Sequence, residues 1–241
     1  FLKPISGSAT KSFVYNVEKM EWQLEAGYKA GKLFDGYSFP VENITEAFEV
    51  IDKHSDYPFF MIQGDFLPGI SLKNIYRRKR EDRGDDIEPT LTDRSLNLVC
   101  FDVDGYECSE FGTNAIELFI QELPAPFGEA DYIYQYSASY GLFDDGKLKC
   151  HLFFWLESAV LSTDIRAWII EYNKEKNWKN VLDPAVFVAT QPVYTQRRKC
   201  SGAPDPITDF LGLVTKSGNL DWRPRVEVVA ASQKRTSRKT S

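Results

Sequence analysis

Hydrophobic residues in this chain fall into short strand-like runs separated by segments of helical periodicity. One run, residues 96–101, is apolar apart from a single Asn and leads directly into Asp102-x-Asp104. An apolar run of this length predicts a buried strand over 96–104, ended by Gly105. Similar runs predict further strands at residues 59–63, 132–136, 148–156, 186–188, 210–214 and 226–229.

Three segments repeat apolar residues at the spacing of one helix face. The predicted helices, each with its expected N-terminal cap, are 44–54 with Asn43, 113–123 with Thr113, and 165–176 with Ser162 to Asp164. Glu46 is placed to complete a capping box with Asn43. Strands and helices mix without a regular alternation, which predicts the α+β class, with mixed and antiparallel sheets flanked by helices.

The segments between these elements are polar or rich in small residues. The charged stretch 73–93 predicts a surface loop, 137–141 a loop of small residues, and Asp144-Asp-Gly146 a hairpin turn. The last ten residues have no apolar side chain and predict a basic flexible tail. The expected organisation is one domain over 1–231, with an accessory part at 1–58 and a core at about 60–215, followed by the tail at 232–241.

Charge and cysteine usage restrict the classes of partner and compartment. The net charge of −6 argues against general nucleic-acid binding, but basic clusters at 77–80 and 197–199 could follow a phosphate backbone locally. The four cysteines form no C-x-x-C pair and the two histidines lie far apart, which argues against zinc and favours buried thiols in a reducing, intracellular compartment. No apolar run is long enough to predict a membrane span.

Asp102 and Asp104 alternate with Val103 on the predicted strand, so both carboxylates face the same way, about 7 Å apart. Carboxylates this close repel each other, and a divalent cation with oxygen ligands is the usual remedy. His151 lies on the predicted strand 148–156, and Asp183 would supply a third carboxylate. Three carboxylates can hold a two-metal site for phosphoryl transfer, with Mg²⁺ or Mn²⁺ as the ions.

Three motifs in this order resemble the catalytic domain of the archaeo-eukaryotic primase superfamily, especially the primase-polymerases of plasmids, phages and integrated elements. That family has a hydrophobic strand ending in Asp-x-Asp, then a small-x-His strand, then an acidic residue after a hydrophobic position. The matching stretches, which cover roughly residues 60–215, are Phe101-Asp-Val-Asp104, Lys149-Cys-His151 with the apolar strand behind it, and Leu182-Asp183. The resemblance implies an RRM-like catalytic core.

The resemblance also implies roles for individual residues. Asp102, Asp104 and Asp183 would be the catalytic metal ligands, and His151 would bind the phosphates of the incoming nucleotide. Arg197 and Arg198 would be candidates for contact with nucleotide or template. The four residues expected to bind DNA through their basic side chains are Arg77, Arg78, Lys79 and Arg80.

One position departs from the family pattern. A small residue usually lies two before the His, and this chain has Lys149 there. A serine role in nucleotide binding would then pass to Ser137 or Ser139. Lys149 shares a strand face with His151 and could itself contact a triphosphate.

The resemblance implies a DNA primase or polymerase that uses NTP or dNTP on a single-stranded DNA template or primer. It implies a fused or associated helicase and a cytoplasmic setting in bacterial or viral replication. Two alternatives stay open. Phe101-Asp-Val-Asp-Gly105 also resembles the first motif of haloacid-dehalogenase-like phosphatases, with Asp102 as nucleophile, although Tyr106 stands where they usually carry Thr. The basic clusters would equally suit a replication initiator that binds origin DNA without catalysis.

Overall fold

The computed structural model describes residues 1–29, 31–79, 87–143 and 146–225. The strands in these ranges are β1 (Leu2–Pro4), β2 (Ser12–Asn16), β3 (Glu21–Ala26), β4 (Leu33–Gly36), β5 (Met61–Ile62), β6 (Gly64–Phe66), β7 (Ile75–Tyr76), β8 (Leu91–Asp93), β9 (Ser95–Glu107), β10 (Tyr132–Tyr136), β11 (Lys147–Leu161), β12 (Pro192–Val193), β13 (Lys199–Ser201) and β14 (Leu211–Val214). The helices are α1 (Ile44–His54), α2 (Thr113–Glu122) and α3 (Ser162–Glu175), and the 3₁₀ turns are Ala125–Gly128 and Pro184–Phe187. Of the helices in the described part of the chain, none combines the length and apolar character that crossing a membrane requires.

A four-stranded antiparallel sheet in the order β14-β10-β11-β9 forms the centre of the structure. The long strands β9 and β11 pair along most of their length. The sheet continues for one bridge beyond β9, because Val103 pairs antiparallel with Leu182. In space the order is therefore residues 181–183, β9, β11, β10 and β14.

The two faces of β9 are covered differently. Val99, Phe101 and Val103 point into the main core, where the Phe101 ring contacts the rings of Phe127 and Trp168. Trp168 comes from α3, so this helix packs on the odd-numbered face of the strand. Asp102 and Asp104 consequently project from the opposite face.

Gly105 makes a β-bulge directly after Asp104. Lys149 of β11 is opposite Asp104, but the preceding Leu148 is opposite Tyr106, so Gly105 is the extra residue. Its φ of +87° lies in the left-handed region that glycine adopts without steric cost. The strand was predicted to end here; it instead bends and continues to Glu107, because a bulge keeps the pairing with β11 on both sides.

Smaller sheets lie around the central one. They are β1-β4-β7, β13-β2-β3, β5-β12 and β6-β8. The first forty residues gave no firm prediction from sequence, yet they contribute β1 to β4. The pairing of β13 with β2 brings Lys11, the residue before β2, beside the 190–200 segment.

Three helices with antiparallel and mixed sheets agree with the predicted α+β class. The strands predicted at 96–104, 132–136, 148–156 and 210–214 are confirmed within one or a few residues of their bounds, and the run at 59–63 is reduced to β5. All three helices are confirmed. Asn43 caps α1, with its side chain accepting from the Glu46 N–H over 2.9 Å.

Some local predictions were wrong. Residues 186–188 belong mainly to a 3₁₀ turn opened by Pro184, because a proline that fixes φ favours a turn start. The loop predicted at 73–93 contains β7 and β8. Neither α2 nor α3 has a side-chain cap bond: Thr113 and Ser162 are already helical. The turn at 144–145, the strand at 226–229 and the tail at 232–241 lie outside the described residues.

Candidate functional site: an acidic row across the sheet

Four polar side chains form a row across the central sheet. In the register of the strands, Gln135 of β10 lies opposite His151 of β11, and His151 lies opposite Asp102 of β9. Asp183 stands next, because its backbone N–H donates to the Asp102 carbonyl over 2.9 Å. Opposite residues on neighbouring strands project from the same face. We call Gln135, His151, Asp102 and Asp183 the polar row; Asp104 lies two residues along β9 on the same face.

The third carboxylate is held beside β9 by backbone and side-chain hydrogen bonds. The Asp104 N–H donates to the Val181 carbonyl over 2.9 Å, which with the Asp183 bond closes the bridge at Leu182. From α3, Asn173 completes the arrangement: its Nδ2 donates to the Leu182 carbonyl over 2.7 Å, and its Oδ1 accepts from the Leu182 N–H over 3.2 Å. The structure therefore brings together the three acids that were predicted from distant parts of the sequence.

Asp183 has a second role in local structure. Its Oδ1 accepts from the Ala185 N–H over 2.8 Å and caps the 3₁₀ turn Pro184–Phe187. An acidic cap is favoured because it satisfies an N–H that the turn leaves unpaired. The cap fixes the orientation of the carboxylate at the end of the polar row.

Asp102 is the acid whose ionisation is most disfavoured by burial and by its neighbours. Burial, followed by the charges of Asp183 and Asp104, raises the pKa of this carboxyl from 3.8 to about 7, while Lys11 acts in the opposite direction. Carboxylates that share a site repel each other's ionised forms in this way. A shift of this kind in a cluster of acids marks a functional-site candidate.

His151 is a neutral ring in this environment. Burial lowers the pKa of its imidazole to about 4. Its Nε2 lies 3.7 Å from Asp102 Oδ1, and its Nδ1 lies 3.1 Å from Gln135 Oε1. The ring thus connects an amide on one side with the acids on the other.

Lys11 and Tyr28 border the site and were missed by the sequence reasoning. The Tyr28 ring stacks on Tyr194, with centroids 3.8 Å apart and planes 6° apart, and the Lys11 Nζ lies 5.0 Å from the Tyr28 centroid. Asp102 contributes to raising the pKa of the Tyr28 hydroxyl, after burial and Tyr194. Both residues lie in the N-terminal segment, whose pattern predicted no element, so no signal placed them near the acids.

Gln135 was also missed, although the sequence held a signal. It is the only polar side chain without an aromatic ring in the β10 sequence Tyr-Ile-Tyr-Gln-Tyr, and it is completely buried. A buried amide needs partners on both its oxygen and its nitrogen. A lone amide inside an apolar strand therefore indicates a specific hydrogen-bonded neighbour.

Lys149 and the two serines lie at the Asp104 end of the site. Lys149 is opposite Asp104 across the β9–β11 pairing. The backbone N–H of Ser137 donates to the Lys149 carbonyl over 2.9 Å, and the next residues turn back, with the Tyr140 N–H donating to the Ser137 carbonyl over 3.0 Å. Ser139 lies inside that turn. Their predicted roles in nucleotide binding stay predictions.

The two neighbouring arginines have different surroundings. Arg198 is buried: its Nε donates to Asp205 Oδ2 over 2.8 Å, and its Nη1 donates to the carbonyls of Ala138 and Tyr140. Its donors are thus used to hold the 138–140 turn. Arg197 is partly exposed, lies over the Phe210 ring at 4.9 Å and pairs with Asp56 at 3.6 Å. Nucleotide or template contact by either arginine stays a prediction.

The basic cluster predicted to bind DNA is partly engaged inside the fold. Arg77 Nη1 donates to the Thr190 carbonyl over 3.1 Å, and its guanidinium lies over the rings of Phe34 and Phe60. Lys79 forms an ion pair with Asp93. Arg78 lies two residues after the end of β7, and Arg80 lies outside the described residues. The prediction that this cluster binds DNA stays a prediction.

A cavity of about 310 Å³ lies apart from the polar row. Its lining includes Leu98 and Trp155, which lie opposite each other and four residues along their strands from Asp102 and His151. Four residues of strand correspond to about 13 Å. Residues of α1, such as Ile51, form the other wall. The cavity therefore shares a sheet face with the acids but does not contain them.

The donor chemistry of the site suits a hard divalent cation. Three carboxylates whose charges repel one another would be relieved by Mg²⁺ or Mn²⁺. Within residues 1–29, 31–79, 87–143 and 146–225, no three His, Cys, Asp or Glu side chains form a group that could hold a metal ion. Mg²⁺ is commonly held by one or two carboxylates together with substrate phosphates, and such a site is not closed by protein alone.

Comparison of the chain with protein-family models, with curated proteins and with solved structures finds no match.

Proposed function

We propose that this chain is a metal-dependent nucleotidyltransferase that acts as a DNA primase-polymerase, making or extending primers on single-stranded DNA. The observation that supports this most is the meeting of three acids at one place on a sheet. Asp183 lies opposite Asp102 and donates one backbone hydrogen bond to its carbonyl, Asp104 follows on the same face, and His151 lies beside Asp102. Carboxylates in this number suit a substrate that arrives with divalent cations bound to its phosphates.

The chain topology supports the RRM-like core in this proposal. β9, α2, β10, β11, α3 and residues 181–183 follow one another as strand, helix, strand, strand, helix, strand. Their order in the sheet is residues 181–183, β9, β11 and β10, which are the fourth, first, third and second strand segments along the chain. This order agrees with the β-α-β-β-α-β arrangement of the split βαβ class, in which the last strand would be reduced here to one bridge.

The acidic residues of the site and the basic residue Lys11 would have different roles. Asp102, Asp104 and Asp183 would hold the divalent cations, which when bound supply charge neutralisation at the phosphates and assist displacement of pyrophosphate. The positive charge of Lys11 lowers the pKa of Asp102, against the effect of burial and the other acids, and in this proposal it would also attract negative charge on the substrate. Phosphoryl transfer depends on positioning and electrostatic stabilisation more than on proton transfer, so the chain needs no strong general base.

The test is incorporation of labelled nucleotides, NTP and dNTP separately, on single-stranded DNA with and without a primer. We expect Asp102→Asn, Asp104→Asn and Asp183→Asn each to reduce incorporation by at least about 100-fold. Substituting residues that only support metal ligands already reduces activity by up to about 100-fold, so loss of a ligand should cost at least as much. Asp52→Asn on the exposed face of α1 is the matched control and should keep full activity. Equal incorporation by the wild type and the three variants would overturn the proposal.

The other two functions are distinguishable outcomes. A phosphatase would hydrolyse an aryl phosphate and form an acyl phosphate on Asp102. Burial, together with the charges of Asp183 and Asp104, raises the pKa of Asp102 to about 7 and so works against such a nucleophile. An origin-binding initiator would show no incorporation, and its salt-sensitive DNA binding would survive loss of all three acids.

The setting of this activity is proposed from the family resemblance. Primase domains of that group act in the intracellular replication of plasmids, phages or integrated elements and are often fused to a helicase. Expression of the chain together with its genetic neighbours, followed by a primer-coupled unwinding assay, would test the partnership.

A further inference from the structure

His151 is held by a chain of buried hydrogen bonds that begins at a backbone carbonyl. Gln135 is completely buried in β10 and lies opposite His151. Its Nε2 donates to the Thr195 carbonyl over 2.6 Å, and its Oε1 lies 3.1 Å from His151 Nδ1. Thr195 is itself completely buried, so the carbonyl has a fixed position.

The carbonyl decides which way the amide faces. A backbone carbonyl can only accept a hydrogen bond, so the NH₂ group of Gln135 must point to Thr195. The amide oxygen must then point to His151, and an oxygen in that position can only accept. The hydrogen must therefore be on His151 Nδ1.

A neutral imidazole carries one N–H, so a hydrogen on Nδ1 leaves a lone pair on Nε2. Nε2 faces the acids, 3.7 Å from Asp102 Oδ1. We propose that Gln135 is a positioning residue that holds His151 in the Nδ1–H tautomer and so makes Nε2 an acceptor at the acidic site. The partner of the second nitrogen commonly sets the tautomer of a functional histidine in this way.

The tautomer changes what His151 can bind, and this part rests on the proposed function. The family resemblance implies that His151 binds the phosphates of the incoming nucleotide, and hydrogen bonding to a phosphate oxygen needs a hydrogen on Nε2. In the geometry described here Nε2 has none, so it accepts from a hydroxyl of the substrate or gives its lone pair to a divalent cation. Pulsed electron paramagnetic resonance with Mn²⁺ and ¹⁵N-histidine separates the two, because only direct coordination gives strong coupling to the nitrogen.

The tautomer can be measured without any activity. The chain has two histidines, His54 and His151, and His54→Gln assigns their signals. Two-bond ¹H–¹⁵N correlation spectra of the ¹⁵N-histidine protein should show His151 protonated at Nδ1 and bare at Nε2. A wild-type ring protonated at Nε2 would overturn the inference, whether or not the protein incorporates nucleotides.

A substitution tests the role of the glutamine. In Gln135→Met the ring loses its acceptor, and we expect the hydrogen to move to Nε2, where Asp102 can accept it. If Nε2 coordinates the cation, Mn²⁺ affinity should also fall by about 10- to 100-fold, as for other residues that orient a ligand; if Nε2 accepts from a substrate hydroxyl, only the tautomer should change. Gln63→Met is the matched control: Gln63 is also buried, but its amide bonds to the backbone of Cys100 and Val186. The control should keep the Nδ1–H signal. An unchanged tautomer and Mn²⁺ affinity in folded Gln135→Met would refute the positioning role.

Discussion

Asp183 lies directly opposite Asp102 across the sheet, with its backbone N–H bonded to the Asp102 carbonyl over 2.9 Å. Side chains in this relation project from one face, so the backbone pairing forces two carboxylates together. The backbones of Asp102 and Asp183 cannot separate without breaking the bridge between Val103 and Leu182. The repulsion is therefore a built-in property of the fold, and its consequences can be measured in the absence of any substrate.

Neutralising Asp102 should stabilise the metal-free protein at high pH. The pKa of Asp102 is raised from 3.8 to about 7, so the folded state holds a proton that the unfolded state releases in that window. The unfavourable contribution of the ionised carboxyl thus grows as pH rises through the window and is complete above about pH 7. We expect Asp102→Asn to raise the free energy of unfolding by about 2 kcal/mol at pH 8, less than the pKa difference alone implies because the side chain is 25% exposed.

Urea denaturation in EDTA at pH 8 and at pH 4 checks this. The stabilisation should be nearly absent at pH 4, and Asp52→Asn should show none at either pH. Mg²⁺ added at pH 8 should stabilise the wild type more than Asp102→Asn. A difference in stability between wild type and variant that is equal at both pH values would show that ionisation of Asp102 is not its cause.

Asn173 should matter for the site as well as for stability. Its side chain bonds to both the N–H and the carbonyl of Leu182. In Asn173→Leu, two buried backbone groups lose their partners, which costs about 2–4 kcal/mol. Asp183, the next residue, should then lose its place, and both Mn²⁺ affinity and nucleotide incorporation should fall.

The matched control for Asn173 lies on the same helix. Ile169 is buried on α3, and Ile169→Ala should cost a similar free energy of unfolding, about 2–4 kcal/mol, through a cavity. At a temperature where both variants are folded, only Asn173→Leu should lose Mn²⁺ binding. Equal loss in both would mean that stability, and not the position of Asp183, determines binding.

The sequence predicted the acids better than their surroundings, for physical reasons. Asp102 and Asp104 follow an apolar run whose period places them on one face, and local pattern is enough for that inference. Lys11 and Asn173 reach the site through pairings between distant segments, which no local period encodes. Gln135 was partly predictable, because an amide in an apolar strand indicates that it has a hydrogen-bond partner but not which residue that partner is.

Gly105 should be needed for the position of Asp104. Its φ of +87° is unfavourable for any residue with a Cβ, although an added Cβ would meet only Lys147 Cδ at 3.9 Å. Gly105→Ala should therefore cost about 1–2 kcal/mol through backbone strain, without a steric clash. If the bulge relaxes to avoid the strain, Asp104 shifts, and Mn²⁺ affinity should fall.

Gly69 provides a control with the same backbone problem. Its φ is +80° and an added Cβ would meet nothing within 4 Å. Gly69→Ala should cost a similar free energy in urea denaturation and leave Mn²⁺ affinity unchanged. Identical Mn²⁺ affinities for the two alanine variants would show that the bulge does not position Asp104.

Lys11 should affect the affinities for Mn²⁺ and for nucleotide in opposite directions. It is the cation that lowers the pKa of Asp102, so Lys11→Met makes the site more negative. Metal affinity should rise and nucleotide affinity should fall, each by about fivefold, corresponding to roughly 1 kcal/mol for one charge near a solvated site. Isothermal titration with Mn²⁺ alone and with a non-hydrolysable nucleotide checks both signs. Lys199→Met, an exposed lysine on the neighbouring β13, should change neither; a parallel change in both affinities would contradict the assigned place of Lys11.

Substituting Arg198 should destabilise the fold much more than substituting its neighbour Arg197. Arg198 is buried and bonded to Asp205 and to two carbonyls of the 138–140 turn, so Arg198→Met removes the cation from Asp205 and the donor from both carbonyls. Removing one partner of a fully buried ion pair costs about 3–5 kcal/mol, and the cost here should be lower because the Asp205 side chain is 28% exposed. Arg197→Met removes only a partly exposed pair and should cost less than about 1 kcal/mol. Urea denaturation distinguishes them, and nucleotide titration of whichever variant stays folded shows whether an arginine here also contacts substrate. Similar stabilities for the two variants would mean that the clamp around the 138–140 turn contributes little.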